Sequence, residues 1–227
     1  SDKIVVISKN FKNFLDKENL NKTTIVENWS PFTKPKLQKI KFYKKKLNPL
    51  KKFCFIYSGT LSYKHNVKLF IKLAERFPNV IIIVSSMGKF ALELNKISKK
   101  HIPNLKVTNW VNYKNLSSFL SIADAFIVTL DNNASTFSVP SKIYSYLTIG
   151  KPILGSMPLD NLGSEKIKKM KVGYISKPNE VETFMKNCEK VIKSKKLRTM
   201  FSRNCKEYLK TRKTSIIKMT SIIEKLE

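Results

Sequence analysis

The sequence predicts a doubly wound α/β domain, Rossmann-like, with a parallel sheet and additional helices at the C-terminal end. Six short apolar runs between residues 53 and 175 alternate with stretches in which apolar residues have helical spacing. One of these runs, Val80–Val84, is apolar throughout, as expected of a parallel strand covered on both faces. The chain has 227 residues, 42% of them hydrophobic, and can therefore bury a sizeable core.

The first part of the chain predicts two short strands and a connection. The strand patterns are Ile4–Ile7 and Thr23–Val26, with apolar residues at helical spacing between them. Residues 31–52 contain three prolines and a basic run but only weak periodicity. This composition predicts an interdomain linker over 31–52, followed by the main domain over 53–210.

The main domain is predicted to alternate strands and helices to its end. In the helix over Ala91–Lys99, we expect Leu92 and Ile97 to face inward. From Val181 onward the chain is predicted to be helical, with a separate C-terminal helix over 211–227. The six predicted strands are Phe53–Tyr57, Val80–Val84, Leu105–Thr108, Ala125–Leu130, Pro152–Gly155 and Val172–Ile175.

The segment Ser138–Ser156 predicts a capped helix that leads into a strand. Pro140 suits the first helical turn, Ser138 lies within capping range, and Gly150 suits a left-handed C-cap. The N-terminus of such a helix presents backbone N–H groups to an anion, and Lys142 would reinforce this. An ordinary capped helix without a ligand is the alternative interpretation.

Right-handed crossovers place ligands at the carboxyl ends of parallel strands, where the strand order reverses. In this chain the loops at that edge are predicted at 58–66, 85–89, 109–113 and 131–141. We therefore expect the functional site to be built from these four loops.

The net charge of +28, from 44 basic and 16 acidic residues, favours anionic partners. Nucleotide phosphates, acidic lipid head groups and nucleic acids are the candidates. Lysines occur in every segment and only four residues are arginine, which indicates compositional bias first and attraction to an anionic membrane second. We rank nucleic acid last, because no stacking or groove-reading motif is present.

The cysteines and histidines argue against a disulfide framework and a metal site. The three cysteines lack paired spacing, which fits a reducing compartment, and neither histidine has a carboxylate or thiol at ligand spacing. No apolar run is long enough to span a membrane, and no signal-peptide pattern opens the chain. Its first residues resemble the middle of a protein, so we expect a further part upstream.

Four segments resemble motifs of retaining GT-B glycosyltransferases, in the group 1 (GT4-like) family that includes fucosamine-type transferases. They keep the order and spacing of the C-terminal, donor-binding half over residues 50–210. Val139–Leu147, followed by Gly-Lys-Pro-Ile at 150–153, is similar to V-P-S-K-x-x-E-Y-x-x-x-G-(K/R)-P-(V/I). The other three segments are Ile25–Trp29, Tyr57–Leu61 and Ala123–Val128.

The resemblance implies a UDP- or GDP-sugar as donor substrate, no other cofactor and no metal. It implies that residues 1–30 are the last part of an acceptor domain, which completes the cleft in cis or in trans. It further implies a role in lipopolysaccharide- or capsule-type polysaccharide synthesis, in the cytoplasm or peripherally on the inner membrane face. The residues matched to nucleotide-sugar positions are Gly59, Thr60, Lys64, Pro140, Ser141, Lys142 and Ser145.

The chain departs from the family pattern at three positions. Ser145 stands where the family has its ribose-binding glutamate, Phe137 where it has the glutamate near the donor sugar, and Thr60 where arginine is common. Two functions are therefore considered: an active glycosyltransferase half, and a degenerate, non-catalytic binding or scaffold protein with this fold.

Further residues in the predicted loops have two interpretations each. His65 is predicted to be a surface side chain, with phosphate contact as the alternative. Trp110 is predicted to cover the core, with base stacking as the alternative. Asp124 is predicted to cap or end a helix, and Asp131 is the only acidic residue near the predicted site.

Overall fold

A computed structural model describes residues 3–30, 32, 36–132 and 140–224. Within these residues the strands are β1 Ile4–Val6, β2 Thr23–Ile25, β3 Phe53–Ser58, β4 Val80–Ser85, β5 Leu105–Thr108, β6 Ala125–Thr129, β7 Ile153–Ser156 and β8 Gly173–Ser176. The helices are a 3-10 helix Lys9–Phe14 and α1 Lys17–Asn21, α2 Leu37–Leu47, α3 Lys68–Arg76, α4 Lys89–His101, α5 Tyr113–Leu120, α6 Lys142–Ile149, α7 Leu162–Met170, α8 Val181–Lys193 and α9 Lys195–Ile223.

In the described residues, β3 to β8 form one parallel sheet in the order β5-β4-β3-β6-β7-β8. The predicted fold class is confirmed, and each of the six predicted strands forms within one or two residues of its expected bounds. The strand order reverses between β3 and β6, where Phe55 pairs with Ala125 and Ile56 with Phe126. The sheet therefore has its switch point, the expected ligand crevice, at the carboxyl ends of these two strands.

Both faces of the sheet are covered. Alternate strand residues such as Cys54 and Ile56 point to a core with side chains from α5, α6, α7 and α9, on which α2 also packs. Phe55 and Tyr57 point to the opposite core, which α3, α4 and α8 cover. Because each strand is buried on both faces, its sequence is a continuous apolar run rather than an alternating one.

The inward positions predicted for α4 are wrong. Leu92 is 63% exposed and Ile97 is 41% exposed, whereas Ala91, Leu94 and Ser98 face the core. Leu92 and Ile97 are five residues apart, so they cannot share one face of an α-helix. Ala91 and Leu94 are three apart and can. The buried face of α4 includes the small residues Ala91 and Ser98, so the spacing of its large apolar residues did not indicate which face is buried.

The segment predicted as a linker contains helix α2, which packs against α5. The Tyr43 ring contacts Phe119 edge-on, with centroids 5.5 Å apart. At the other end of the chain, α9 continues through residue 211, so the helix predicted for 211–227 is the last part of α9 in the described residues. The division into domains itself stays a prediction.

β1 and β2 pair in parallel as a small separate sheet. Two contacts of the segment that follows β2 join it to the main domain: Glu27 pairs with Lys166 on α7, and the Ser30 N–H donates to the Tyr208 hydroxyl on α9, 3.3 Å away. Lys218, near the end of α9, also donates to the carbonyl oxygen of Ile25 at 2.9 Å. Across the described part of the chain, none of the helices combines the length and apolar content that a bilayer crossing requires.

Candidate functional site

A cleft of about 500 Å³ opens at the carboxyl end of the sheet, beside the switch point. Four parts of the chain contribute to it: the segment after β2, the end of β3, the loop after β5 with α5, and the start of α6. Its described lining residues are Trp29, Ser30, Phe32, Ser58, Gly59, Thr60, Trp110, Val111, Tyr113, Leu116, Leu120, Ser141, Lys142, Ser145 and Tyr146.

Helix α6 begins at the cleft. Its first turn is tight, because the Ile143 N–H donates to Pro140 O at 3.0 Å and the Tyr144 N–H to Ser141 O at 3.1 Å. It ends at Gly150, whose φ of +77° gives the predicted left-handed cap. These two bonds occupy the N–H groups of Ile143 and Tyr144, so the backbone donors that the start of α6 can offer to a ligand are those of Ser141 and Lys142.

The start of α6 contacts the bend after β3 where Lys142 lies against Gly59. A Cβ atom added to Gly59 would lie only 2.9 Å from Lys142 Nζ, and Gly59 has a φ of +143°. A side chain at 59 would therefore be strained in its backbone and would also displace the lysine. The two loops that carry the strongest motif matches thus lie against each other.

The Lys142 ammonium is held by an aromatic partner. It donates to the Tyr57 hydroxyl at 2.7 Å and lies 4.0 Å from the centroid of that ring. The Tyr57 hydroxyl in turn donates to Thr60 O at 2.8 Å. Burial lowers the pKa of Lys142 to about 7 and raises that of Tyr57. At neutral pH the charged and neutral forms of this lysine are therefore similarly populated.

Tyr146, one turn further along α6, fixes the end of β3. Its hydroxyl accepts from the Ser58 N–H at 2.9 Å, and its ring stacks on Phe126 with centroids 4.0 Å apart and planes 3° from parallel. The bend at 58–60 is thus tied to α6 through both tyrosines, which pre-organises this side of the cleft.

His65, in the loop after β3, is partly buried against Tyr57. Its Nδ1 accepts from the Ser62 N–H at 3.0 Å, and its ring packs edge-on against Tyr57. Desolvation lowers the pKa of His65 to about 4, and the nearby charge of Lys142 adds to this. His65 is thus partly exposed and held against Tyr57, and phosphate contact by this side chain stays a prediction.

Five of the seven residues predicted from the resemblance line the cleft: Gly59, Thr60, Ser141, Lys142 and Ser145. Pro140 and Lys64 are not among the lining residues. Pro140 directly precedes Ser141. Lys64 has its ammonium 5.8 Å from the centroid of the Tyr63 ring, and its carbonyl oxygen accepts from the Asp131 N–H at 2.7 Å. The roles of all seven as ligands stay predictions.

The two aspartates that the sequence analysis singled out have local partners. Asp131 Oδ1 accepts from the Asn132 N–H at 2.7 Å. Asp124 Oδ2 accepts from the Cys54 N–H at 2.9 Å, so it joins β3 to the start of β6 instead of capping a helix. Of the described residues that line the cleft, none is Asp or Glu. Phe137 and Ser138 lie outside the described residues.

Sequence reasoning missed the aromatic wall of the cleft. Trp110 is 55% exposed and lines it with Tyr113, so the prediction that Trp110 covers the core is wrong. Trp29 and Phe32 complete this wall from the N-terminal side. The available signal was the place of Trp110, two residues after β5 in a loop already expected to contact ligand.

In the described residues, no three His, Cys, Asp or Glu side chains converge in an arrangement that could hold a metal ion. The described lining residues of the cleft offer a ligand hydrogen-bond donors, the Lys142 ammonium and aromatic surface. This combination suits a planar ring joined to an anionic group.

Comparison with known proteins identifies a matching family and similar folds. The family model described as "Glycosyl transferases group 1" matches residues 38–208. No curated protein gives a significant match to the sequence.

Solved structures share the fold at low sequence identity. Anabaena Alr3699/HepE, in complex with UDP and glucose, aligns over 100% of this chain and 63% of its own, with 14% identity and a TM-score of 0.74. Sucrose-phosphate synthase from Thermosynechococcus elongatus aligns over 100% and 58%, with 12% identity and a TM-score of 0.73.

A third structure is itself a single domain. The C-terminal domain of a glycosyl transferase group 1 family protein (LpcC) from Francisella tularensis aligns over 79% of this chain and 94% of its own, with 14% identity and a TM-score of 0.60. By contrast, the chain spans only about 60% of the length of the first two structures.

Proposed function

Because the chain belongs to the glycosyl transferases group 1 family, we propose that it is the donor-binding half of an enzyme that transfers a sugar from a nucleoside-diphosphate sugar to an acceptor. The contact between Lys142 and Gly59 at the switch point carries this proposal. It brings a cation, a helix N-terminus and a glycine bend together, and these features suit a diphosphate.

The diphosphate is assigned to the start of α6. Backbone N–H groups at Ser141 and Lys142, with the Lys142 ammonium, face the place where negative charge grows as the glycosidic bond breaks. Donors that are already in position stabilise such charge without reorganising. Pro140 begins the turn that directs them, and Lys64 is assigned as a second cation from the adjacent loop.

The nucleoside is assigned to the aromatic side of the cleft. Trp110 and Tyr113 present exposed ring surface for a base, and the Ser145 hydroxyl is assigned to the ribose. Thr60, at the bend, faces the phosphates. UDP is the first nucleotide to test, since Alr3699/HepE is known in complex with UDP and glucose.

The rest of the active cleft is assigned to an acceptor domain, supplied in cis or in trans. Residues 1–30 are proposed as its last part, 31–52 as the connection, 53–210 as the donor-binding domain and 211–227 as a C-terminal helix. We assign the enzyme to lipopolysaccharide- or capsule-type polysaccharide synthesis, in the cytoplasm or on the inner face of the membrane.

A non-catalytic binding or scaffold protein is the second candidate. The observation that favours it is the composition of the cleft, whose described lining residues include no carboxylate. A neutral hydroxyl at position 145 gives about half the hydrogen-bond strength of a charge-assisted contact to the ribose.

The test is titration of the 227-residue chain with UDP, GDP and their sugars, followed by calorimetry and thermal melting. We expect one nucleotide to bind and to raise the melting temperature, because a ligand that binds only the folded chain stabilises it. If none of these nucleotides changes the melting temperature at about millimolar concentration, the transferase proposal fails, and a scaffold is favoured, for which we expect a stable assembly with a partner chain and no nucleotide effect. Binding without sugar release or transfer, even with an acceptor domain added, would support the second candidate.

A further inference from the structure

Helix α2 and the loop after it form an exposed surface on one side of the domain. The inner side of the helix, with Ile40, Tyr43 and Leu47, packs against the core. We call the exposed part of residues 36–52 the α2 surface.

The α2 surface is the most strongly basic part of the chain. Residues 36–52 include eight lysines and no acidic residue, so nearly every second residue is cationic, against about one in five in the whole chain. Compositional bias explains scattered lysines but not this concentration. The lysines are Lys36, Lys39, Lys41, Lys44, Lys45, Lys46, Lys51 and Lys52.

Large apolar side chains stand among these lysines. Phe42 is 52% exposed, and its ring centroid lies 5.8 Å from Lys39 Nζ and 5.7 Å from Lys46 Nζ. Leu37 and Leu50 are 66% and 76% exposed. An aromatic ring framed by cations on an exposed helix suits an interface with an apolar layer beneath a layer of negative charge.

We propose that the α2 surface docks on an anionic lipid bilayer. The lysines would contact acidic head groups, while Phe42 would enter the boundary between head groups and acyl chains. This inference does not rest on the proposed nucleotide site, since it uses residues outside the cleft.

The contacts at the start of α2 show how the α2 surface lies relative to the cleft. Phe32 lines the cleft shortly before α2 begins, and the Lys36 N–H donates to Ser118 Oγ on α5 at 2.8 Å. The N-terminal end of α2 therefore lies near the cleft, whereas Lys44, Lys45, Lys51 and Lys52 lie with Asp124 at the amino ends of β3 and β6. A bilayer along α2 would run down this side of the domain from one edge of the sheet to the other.

Helix α4 provides a matched comparison on the opposite face of the sheet. It also exposes lysines with two aliphatic side chains, Leu92 and Ile97, but it carries Glu93 and its exposed apolar residues are not aromatic. Because α2 and α4 lie on opposite faces, one flat membrane cannot contact both.

The test is co-sedimentation of the 227-residue chain with vesicles of phosphatidylcholine alone or in an equal mixture with phosphatidylglycerol. We expect binding to the mixed vesicles only, and weaker binding as salt rises, because salt screens exposed charges. Binding to both kinds of vesicle, or to neither, would overturn the proposal. The same would follow if the chain bound RNA through α2 but not the mixed vesicles.

Variants then test whether the vesicles bind the α2 surface. The triple variant Lys39→Gln, Lys45→Gln, Lys46→Gln should weaken vesicle binding about 100-fold, since each lysine near an anionic surface contributes about 1 kcal/mol. Phe42→Ala should weaken it about tenfold through lost apolar burial. The matched control is Lys96→Gln, Lys99→Gln, Lys100→Gln on α4, which should retain nearly wild-type binding.

If the α4 triple variant loses as much binding as the α2 triple variant, the attraction comes from net charge alone and the proposal is wrong. Phe42→Ala removes no charge, so unchanged binding of this variant would also contradict it. Thermal melting of each variant confirms that the chain remains folded.

Discussion

The Lys142 ammonium lies 2.7 Å from the Tyr57 hydroxyl and 4.0 Å from the centroid of its ring. The tyrosine holds this lysine at the bend after β3, while burial lowers the lysine pKa to about 7. An arriving diphosphate would supply the negative charge that the site itself lacks. Because burial disfavours the charged form of this lysine, the charge of a bound phosphate would shift it towards its protonated form.

Replacing Lys142 with methionine should separate binding from stability. We expect the variant to lose about ten- to a hundredfold in UDP affinity, because a charge-assisted hydrogen bond contributes about 1.5–3 kcal/mol. Its melting temperature should stay the same or rise, since methionine removes a buried amine. Calorimetry and thermal melting measure the two effects. Lys168→Met on α7, outside the cleft, is the control, and equal affinity losses in both variants would contradict the assignment.

Gly59→Ala should reduce both nucleotide affinity and stability. The φ of +143° disfavours a side chain, and the new Cβ would lie 2.9 Å from Lys142 Nζ. Strain of this kind amounts to about 1–3 kcal/mol. Gly150→Ala is the matched control, because Gly150 also has a positive φ but no atom within 4 Å of the added Cβ. We expect Gly150→Ala to lower the melting temperature without changing UDP affinity in calorimetry. The prediction fails if both variants bind UDP as the wild type does.

Stability should depend on pH through Lys142. Its pKa is about 7 in the folded chain and near 10.5 when unfolded, so the unfolded chain binds more protons between these values. The contribution of Lys142 to the free energy of unfolding therefore rises with pH across this window. His65 contributes in the same direction between its folded pKa of about 4 and its ordinary 6.5. Denaturant titrations of wild type and Lys142→Met across pH measure the difference, which should grow in favour of wild type as pH rises above 7.

The lowered pKa of Lys142 also predicts that the chain takes up a proton when UDP binds. A bound phosphate raises the pKa of Lys142 again, so UDP binding at about pH 8 should take up as much as one proton. Calorimetry in two buffers with different ionisation enthalpies detects this, and Lys142→Met should not show it. Equal heats in both buffers for the wild type would refute the assignment of phosphate to Lys142.

Trp110→Ala should weaken UDP binding about tenfold while leaving pyrophosphate binding unchanged, since base stacking contributes about 1–3 kcal/mol. The side chain is 55% exposed, so we expect little change in melting temperature. Competition calorimetry with UDP and pyrophosphate measures the change in affinity for each ligand. Phe42→Ala removes a similarly exposed ring on α2, outside the cleft, and serves as control. Equal losses for UDP and pyrophosphate would place the base elsewhere.

The sequence predicted the sheet well because strands buried on both faces leave continuous apolar runs, as in Val80–Val84. The meeting of Gly59 and Lys142 could also be anticipated, since the carboxyl ends of parallel strands share one edge. Helix α2 was missed because its lysines and the nearby prolines mask its short apolar stripe of Ile40, Tyr43 and Leu47. The exposure of Trp110 was missed because a lone aromatic residue after a strand is typical of a core as well as of a binding wall.

Helix α9 spans 29 residues, or about 44 Å at 1.5 Å per residue. It contacts α6, which begins at the cleft, and it reaches the small sheet through Lys218 and Ile25. If the small sheet rotated against the large one, this helix would have to bend or the Lys218 contact would have to break. The long helix α9 is thus a physical connection between the small sheet and α6, in addition to the contacts that Glu27 and Ser30 make with α7 and α9.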